Sequence, residues 1–178
     1  MLAISHDGRR GYTANVGPGT VSVLDLEGRT TVAVIPISGT TQRISISQDD
    51  KEVYTADQTK PQLAVIDTAT NKVKTWVPLP SKGYGTGATK DGRYLLVAVP
   101  GTKQVAVVDL QSHQVVRTID VPPTPQEVLI HPDGVTAFVS CNTEGKVAEI
   151  DLKEWKVRQI LTAGKTADGL ALATPAGE

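Results

Sequence analysis

The chain has 178 residues, 39% of them hydrophobic, with 18 basic and 19 acidic side chains and a formal charge of −1. That length supports one globular unit with a real core, and a balanced charge with no one-sided block leaves no electrostatic footprint for nucleic acid or an anionic membrane. A single cysteine, Cys141, excludes an internal disulfide and a multi-thiolate metal site, and no run approaches the roughly 18 apolar residues of a membrane span.

The chain repeats itself, which governs everything read from it afterwards. Segments beginning at Leu2, Ile44, Thr86 and Val128 align without gaps at an offset of 42: "LAISHDGRRGYTAN", "ISISQDDKEVYTAD", "TGATKDGRYLLVAV" and "VLIHPDGVTAFVSC". Asp7, Asp49, Asp91 and Asp133 share one column, and Asp25, Asp67, Asp109 and Asp151 share another. The repeats run over 2–43, 44–85, 86–127 and 128–169, and "LALATPAGE" over 170–178 starts a fifth. Met1 falls inside a repeat, so any leader is expected upstream of it.

Within the first repeat, strand A leads into Asp7-Gly8, read as a two-residue type I′ hairpin. Strand B is "YTAN", strand C "VSVLDL" and strand D "TVAVIPI". The second repeat gives "YTAD", "LAVID" and "KTWVPL"; the third "LVAV", "VAVVD" and "VRTIDV"; the fourth "FVSC", "VAEID" and "RQILTA". No segment has sustained helical spacing. The second position of strand C is always small (Ser22, Ala64, Ala106, Ala148) between larger apolar residues. That pattern suits a sheet covered on both faces and approached closely by its neighbours. The expectation is an all-β β-propeller of four four-stranded antiparallel blades plus the first strand of a fifth. An open set of four exposes two terminal faces, which the remaining blades of a longer ring or a second chain would cover.

Two stretches, "GYTANVGPGTVSVLDLEGRTTVAVIPI" and "EVYTADQTKPQLAVIDTATNKVKTWVPL", resemble the YVTN-type, YncE-like β-propeller repeat. The later repeats depart from it, with "LVAV" and "FVSCN" at strand B and no T-A-T-N-K hairpin. The resemblance implies a seven-bladed, WD40-like ring, bacterial or archaeal, periplasmic or extracellular, that serves as a binding or scaffolding platform. Related propellers of the lactonase and cytochrome haem d1 types carry other chemistry, so the ring alone selects no activity.

The glycines of "SKGYGTGATKDG" lack a following helix, and Lys90 occupies the place of the third fingerprint glycine; they are read as packing and chain-reversal residues rather than a dinucleotide loop. The aspartate columns read as turn residues. His6, His113 and His131 fall at different repeat phases and are taken as surface or rim residues, with no metal site and no cofactor assigned. Trp155 lies at a hairpin tip, as an exposed anchor, whereas Trp76 packs. Glu149 stands where other repeats have valine, either on a solvent-facing edge or paired with a cation from a neighbouring blade.

Alternating strand direction puts the B–C and D–A connections on one rim. The candidate ligand-binding residues there are Arg43, Asp57, Tyr84, Glu127, Asn142 and Asp168. The leading expectation is a non-catalytic binding or scaffold module for an unidentified protein or small molecule. The alternative is a lactonase-like hydrolase or a dehydrogenase-associated subunit, which requires Arg43, Glu127 and Asp168 to converge.

Overall fold

The computed structural model describes residues 1–173. Its strands fall into four sheets. The first holds β1 (Leu2–Ile4), β2 (Arg10–Asn15), β3 (Thr20–Asp25) and β4 (Thr30–Pro36). The second holds β5 (Ser45–Ile46), β6 (Glu52–Asp57), β7 (Gln62–Asp67) and β8 (Lys72–Pro78). The third holds β9 (Thr86–Ala88), β10 (Tyr94–Val99), β11 (Gln104–Asp109) and β12 (Gln114–Asp120). The fourth holds β13 (Pro125–Ile130), β14 (Thr136–Cys141), β15 (Lys146–Asp151) and β16 (Lys156–Thr162). In every sheet the strands lie in chain order, each antiparallel to the next. Two three-residue 3₁₀ turns, Pro100–Thr102 and Asn142–Glu144, interrupt the all-β pattern in the B–C connections of the third and fourth sheets.

Three apolar layers separate the four sheets. Tyr12, Val21 and Val23 of the first sheet meet Val53, Ala64 and Ile66 of the second. Tyr54, Leu63 and Val65 then meet Leu95, Val97 and Ala106 of the third, and Leu96, Val105 and Val107 meet Val139, Ala148 and Ile150 of the fourth. Alternate residues of one strand therefore serve two different cores, and both must be apolar. The small column explains the close stacking: Ala64, Ala106 and Ala148 are wholly buried, whereas Ser22, on the uncovered face of the first sheet, is half-buried. The short first strands meet in succession, β1 with β5, β5 with β9 and β9 with β13, which places them innermost around an axis. The molecule is a set of stacked β-propeller blades.

The A–B turn differs from the expected type I′ hairpin, which needs positive φ at both central residues. Gly8 has φ +72° and its N–H donates to the Ser5 carbonyl, 2.8 Å, while Asp7 keeps ordinary φ. Gly92 and Gly134 repeat the arrangement, and in the second repeat Asp50 takes the glycine's place at φ +59°. Asp7 accepts bonds from the Ser5 hydroxyl (2.7 Å) and the Arg9 N–H (2.9 Å); the carboxylate closes the turn instead of standing at its tip.

A register shift recurs in the third-to-fourth strand pairing of every sheet, beside Val23, Val65, Val107 and Glu149. One extra residue of the outer strand, Val32, Lys74, Val116 or Arg158, sits unpaired at each bulge. A bulge re-aims a side chain. Here it turns Lys74 toward Glu52 (2.7 Å) and Arg158 toward Glu149 (3.3 Å) and Asp151 (2.5 Å). Glu149 thus pairs with a cation of its own blade, not a neighbour's.

Trp155 is not an exposed anchor. At φ +55° its ring packs edge-on to Tyr94 of the preceding sheet (centroids 5.0 Å apart), with the Arg117 guanidinium 5.2 Å over it. Trp76 packs against the layer between the first two sheets. Leu170–Ala173 form no strand, and the rest of the anticipated fifth strand lies outside the described residues.

Candidate functional site

With neighbours antiparallel, the D–A and B–C connections share one rim and the A–B and C–D turns share the other. Each D–A junction brings two adjacent residues to the same repeat position: Gln42 and Arg43, Tyr84 and Gly85, and Asp168 and Gly169 lie in the connections themselves, and Gln126 and Glu127 lie at the start of β13. Four of the six candidates come from these columns, and they converge.

Arg43 is the hub. Its side chain is 7% exposed, one terminal nitrogen lies 2.5 Å from Glu127 Oε2, and the other is bonded to Asp168 Oδ1. Tyr84 lays its ring 5.3 Å from the guanidinium carbon and donates its hydroxyl to Gln42 Oε1, 2.7 Å. The Met1 sulfur lies 3.5 Å from the same guanidinium. Arg43 Nε is buried with no partner.

Burial pushes the Glu127 carboxyl above the ordinary carboxylate range; Arg43 works against that shift and Asp168 reinforces it. Ser140 ties the two acidic segments together: its hydroxyl donates to the Asp168 carbonyl and accepts from the Glu127 N–H, 3.0 Å. The result is one cation shared between two carboxylates, one at the start of β13 and one in the connection that follows the fourth sheet, 84 and 125 residues away along the chain.

Asp57 and Asn142 stand apart. Asp57 is buried within the second sheet's B–C turn, accepting bonds from Ser38 Oγ (2.6 Å), Thr59 N–H (2.8 Å) and Gln62 Nε2 (2.9 Å). Burial alone would push its carboxyl up; the hydroxyls of Ser38 and Thr59 and the adjoining N–H groups outweigh that and hold it low. It is a turn staple. Asn142 opens a 3₁₀ turn, its N–H given to the Thr124 carbonyl (3.0 Å) and its carbonyl taken by Gly145.

The three glycines near Tyr84 pack; none has positive φ. A Cβ on Gly85 would stand 2.0 Å from the Gln126 carbonyl oxygen, and one on Gly83 would stand 2.8 Å from Leu79 and 2.9 Å from Ala56. Neighbouring connections touch there, and no phosphate slot remains. The histidines sit on the opposite rim: His6 pairs with Asp50 (2.6 Å), His131 with Asp133 (3.1 Å), and His113 lies 3.7 Å from Glu52. His113 is less solvated than a rim residue, since its Nε2 is buried without a bond. That rim also holds a cavity of about 700 Å³ between the second and third sheets, where Lys51 pairs with Asp49 and Lys74 with Glu52.

The architecture defines a β-propeller protein with an ion cluster at the channel mouth. A family profile described as "Cytochrome D1 heme domain" matches residues 2–173, and the chain belongs to that family. Among solved structures it is similar to Kuenenia stuttgartiensis hydrazine synthase, with TM-score 0.85 and 20% identity over 89% of this chain. This chain spans 47% of that one. A search of curated proteins found no match.

The family implies a haem, and the residues here do not fit one. A haem takes an axial side chain and partners for its carboxylates. All three histidines are on the far rim. Cys141 is buried in the apolar layer between the third and fourth sheets, where desolvation pushes its thiol up to about 11, and the Met1 sulfur lies against the Arg43 guanidinium, 3.5 Å. At the mouth the Tyr84 hydroxyl is engaged by Gln42, and Arg43, the cation for a carboxylate, is already held by two.

Proposed function

We propose that this chain is a non-catalytic binding module, a YVTN-type member of the propeller class, whose ligand or partner docks at the mouth formed by the D–A connections. The observation that supports it is the environment of Arg43. Its terminal nitrogens neutralise Glu127 and Asp168, so neither carboxylate is a free nucleophile or base, while its buried Nε retains an unused donor beside the Tyr84 ring. Asp168 is 58% exposed and is the member of the cluster most open to an incoming group. A ligand with a hydrogen-bond acceptor and a flat or apolar surface matches this set. Calorimetric titration with a panel of amino acids, dicarboxylates and short peptides tests it. At least one should bind saturably to the native chain and lose about tenfold in affinity in Tyr84→Ala; no saturable binding, or binding indifferent to Tyr84, contradicts the reading.

The convergence of Arg43, Glu127 and Asp168 favours a second reading, a lactonase-like hydrolase in which Glu127, with its raised carboxyl, gives a proton to a leaving oxygen. Lactone hydrolysis that disappears in Glu127→Gln while the fold is retained would select this reading.

A further inference from the structure

The cleft of about 700 Å³ on the rim opposite the mouth lies between the second and third sheets. Each of those sheets is covered on both faces, so the cleft belongs to the stack itself. The repeat closes the same place in the joints on either side. From the first sheet to the second, His6 bonds Asp50 across the gap, 2.6 Å. From the third to the fourth, Lys90 Nζ donates to the Pro132 carbonyl, 2.8 Å, and Trp155 packs edge-on against Tyr94. The middle joint has other residues in those columns. Gln48 stands where His6 and Lys90 stand, and its side chain bonds to nothing across the gap among the described residues; Glu52 and His113 take the places of Tyr94 and Trp155. A carboxylate and an imidazole thus replace a pair of larger rings, and the gap stays open.

The charges around it leave one group over. Three of the lining cations are engaged: Lys51 with Asp49 (3.0 Å), Lys74 with Glu52 (2.7 Å) and Lys90 with the Pro132 carbonyl. The Tyr54 hydroxyl also donates to Glu52, 2.8 Å, so the acid on the inner wall is satisfied at both oxygens. Arg93 is the remaining cation. By strand alternation it faces the second sheet, as Leu95 does. Its guanidinium rests 4.9 Å from the centroid of the Tyr94 ring and has no acceptor among the described residues. A guanidinium held against an aromatic ring keeps its N–H fork for a planar anion, and a carboxylate takes that fork through two parallel bonds. The side-chain amides of Gln48 and Gln111 line the same cleft without partners among the described residues.

We propose that this cleft is a second binding site, separate from the mouth, for a small monocarboxylate whose carboxylate is held by the Arg93 fork and whose remaining polar groups meet the amides of Gln48 and Gln111. A single uncommitted cation matches a single negative charge. A doubly charged phosphate would enter beside Asp49, Glu52, Asp67 and Asp91 with only that one cation to offset its repulsion.

An NMR titration of the isotope-labelled chain with lactate, benzoate and N-acetylglycine, and with inorganic phosphate for comparison, tests this. At least one monocarboxylate should shift the Arg93 Nε–H and the Gln48 and Gln111 amides saturably. Arg93→Gln, an exposed position whose loss leaves the core intact, should weaken that binding at least about tenfold. Tyr84→Ala should leave it unchanged, which separates the cleft from the mouth. Glu52→Tyr combined with His113→Trp restores the rings of the next joint and should fill the gap and abolish the response. The proposal is overturned by no saturable shift with any of the monocarboxylates, by phosphate binding as tightly, or by a response that survives Arg93→Gln or is lost in Tyr84→Ala.

Discussion

Arg43 illustrates what a single residue does in this molecule. A guanidinium presents a planar fork of donors that two carboxylates can share, and Arg43 uses it to connect segments 84 and 125 residues away along the chain. Removing it would leave the Glu127 carboxylate, 16% exposed, without its cation. Arg43→Ala should therefore cost about 3 kcal/mol, the range for breaking a largely buried pair from one side, and be read as a lower urea midpoint. A variant as stable as the native chain would show that Arg43 ties nothing together. Glu127 contributes in the opposite sense to most acids here: with its folded pKa raised, its ionised form costs stability, and protonation as pH falls relieves that cost. The sequence supplied the columns that placed Arg43, Tyr84, Glu127 and Asp168 at one mouth. It did not separate them from Asp57 and Asn142, because a rim position fixes a loop's location while the side chain's partners depend on packing between loops. Trp155 differs from the sequence reading for a related reason: a hairpin tip is exposed on an isolated sheet, and here Tyr94 of the preceding sheet covers it.

At the scale of the turn, the two aspartate columns act in series. Asp151 is held at about 2 by Arg158 and then by the N–H groups of Glu154 and Lys153. Asp49 is held at about 2 by Lys51 and the Ser47 hydroxyl, and Asp133 also reaches about 2, the local N–H and hydroxyl donors outweighing its desolvation. Asp7, Asp25, Asp67, Asp91 and Asp109 are lowered as well. A carboxyl whose folded pKa lies below its unfolded value near 3.8 contributes stability above that value and loses it as pH falls through the folded one. The urea midpoint should thus fall steeply between about pH 4 and pH 2. A midpoint unchanged across that window would mean that these carboxylates are no better bonded folded than unfolded. The columns were legible because a 42-residue offset aligns them; the outer-strand bulge was not, since its residues alternate valine (Val32, Val116) with a cation (Lys74, Arg158) and have in common only a backbone position.

At the scale of the whole molecule, a rigid stack brings loops distant in sequence to one mouth, and the stack was readable because apolar residues on both faces of the third strand demand neighbours on both sides. What the mouth holds was less readable, because it rests on charge balance among four connections. The chain belongs to a haem-domain family, yet its Arg43 is committed to Glu127 and Asp168 and its histidines lie on the other rim. A spectroscopic titration of the purified chain with haem tests this account most directly. The account predicts no saturable Soret shift at equimolar haem and the same spectrum for Arg43→Ala; a stoichiometric Soret band that Arg43→Ala abolishes would contradict it.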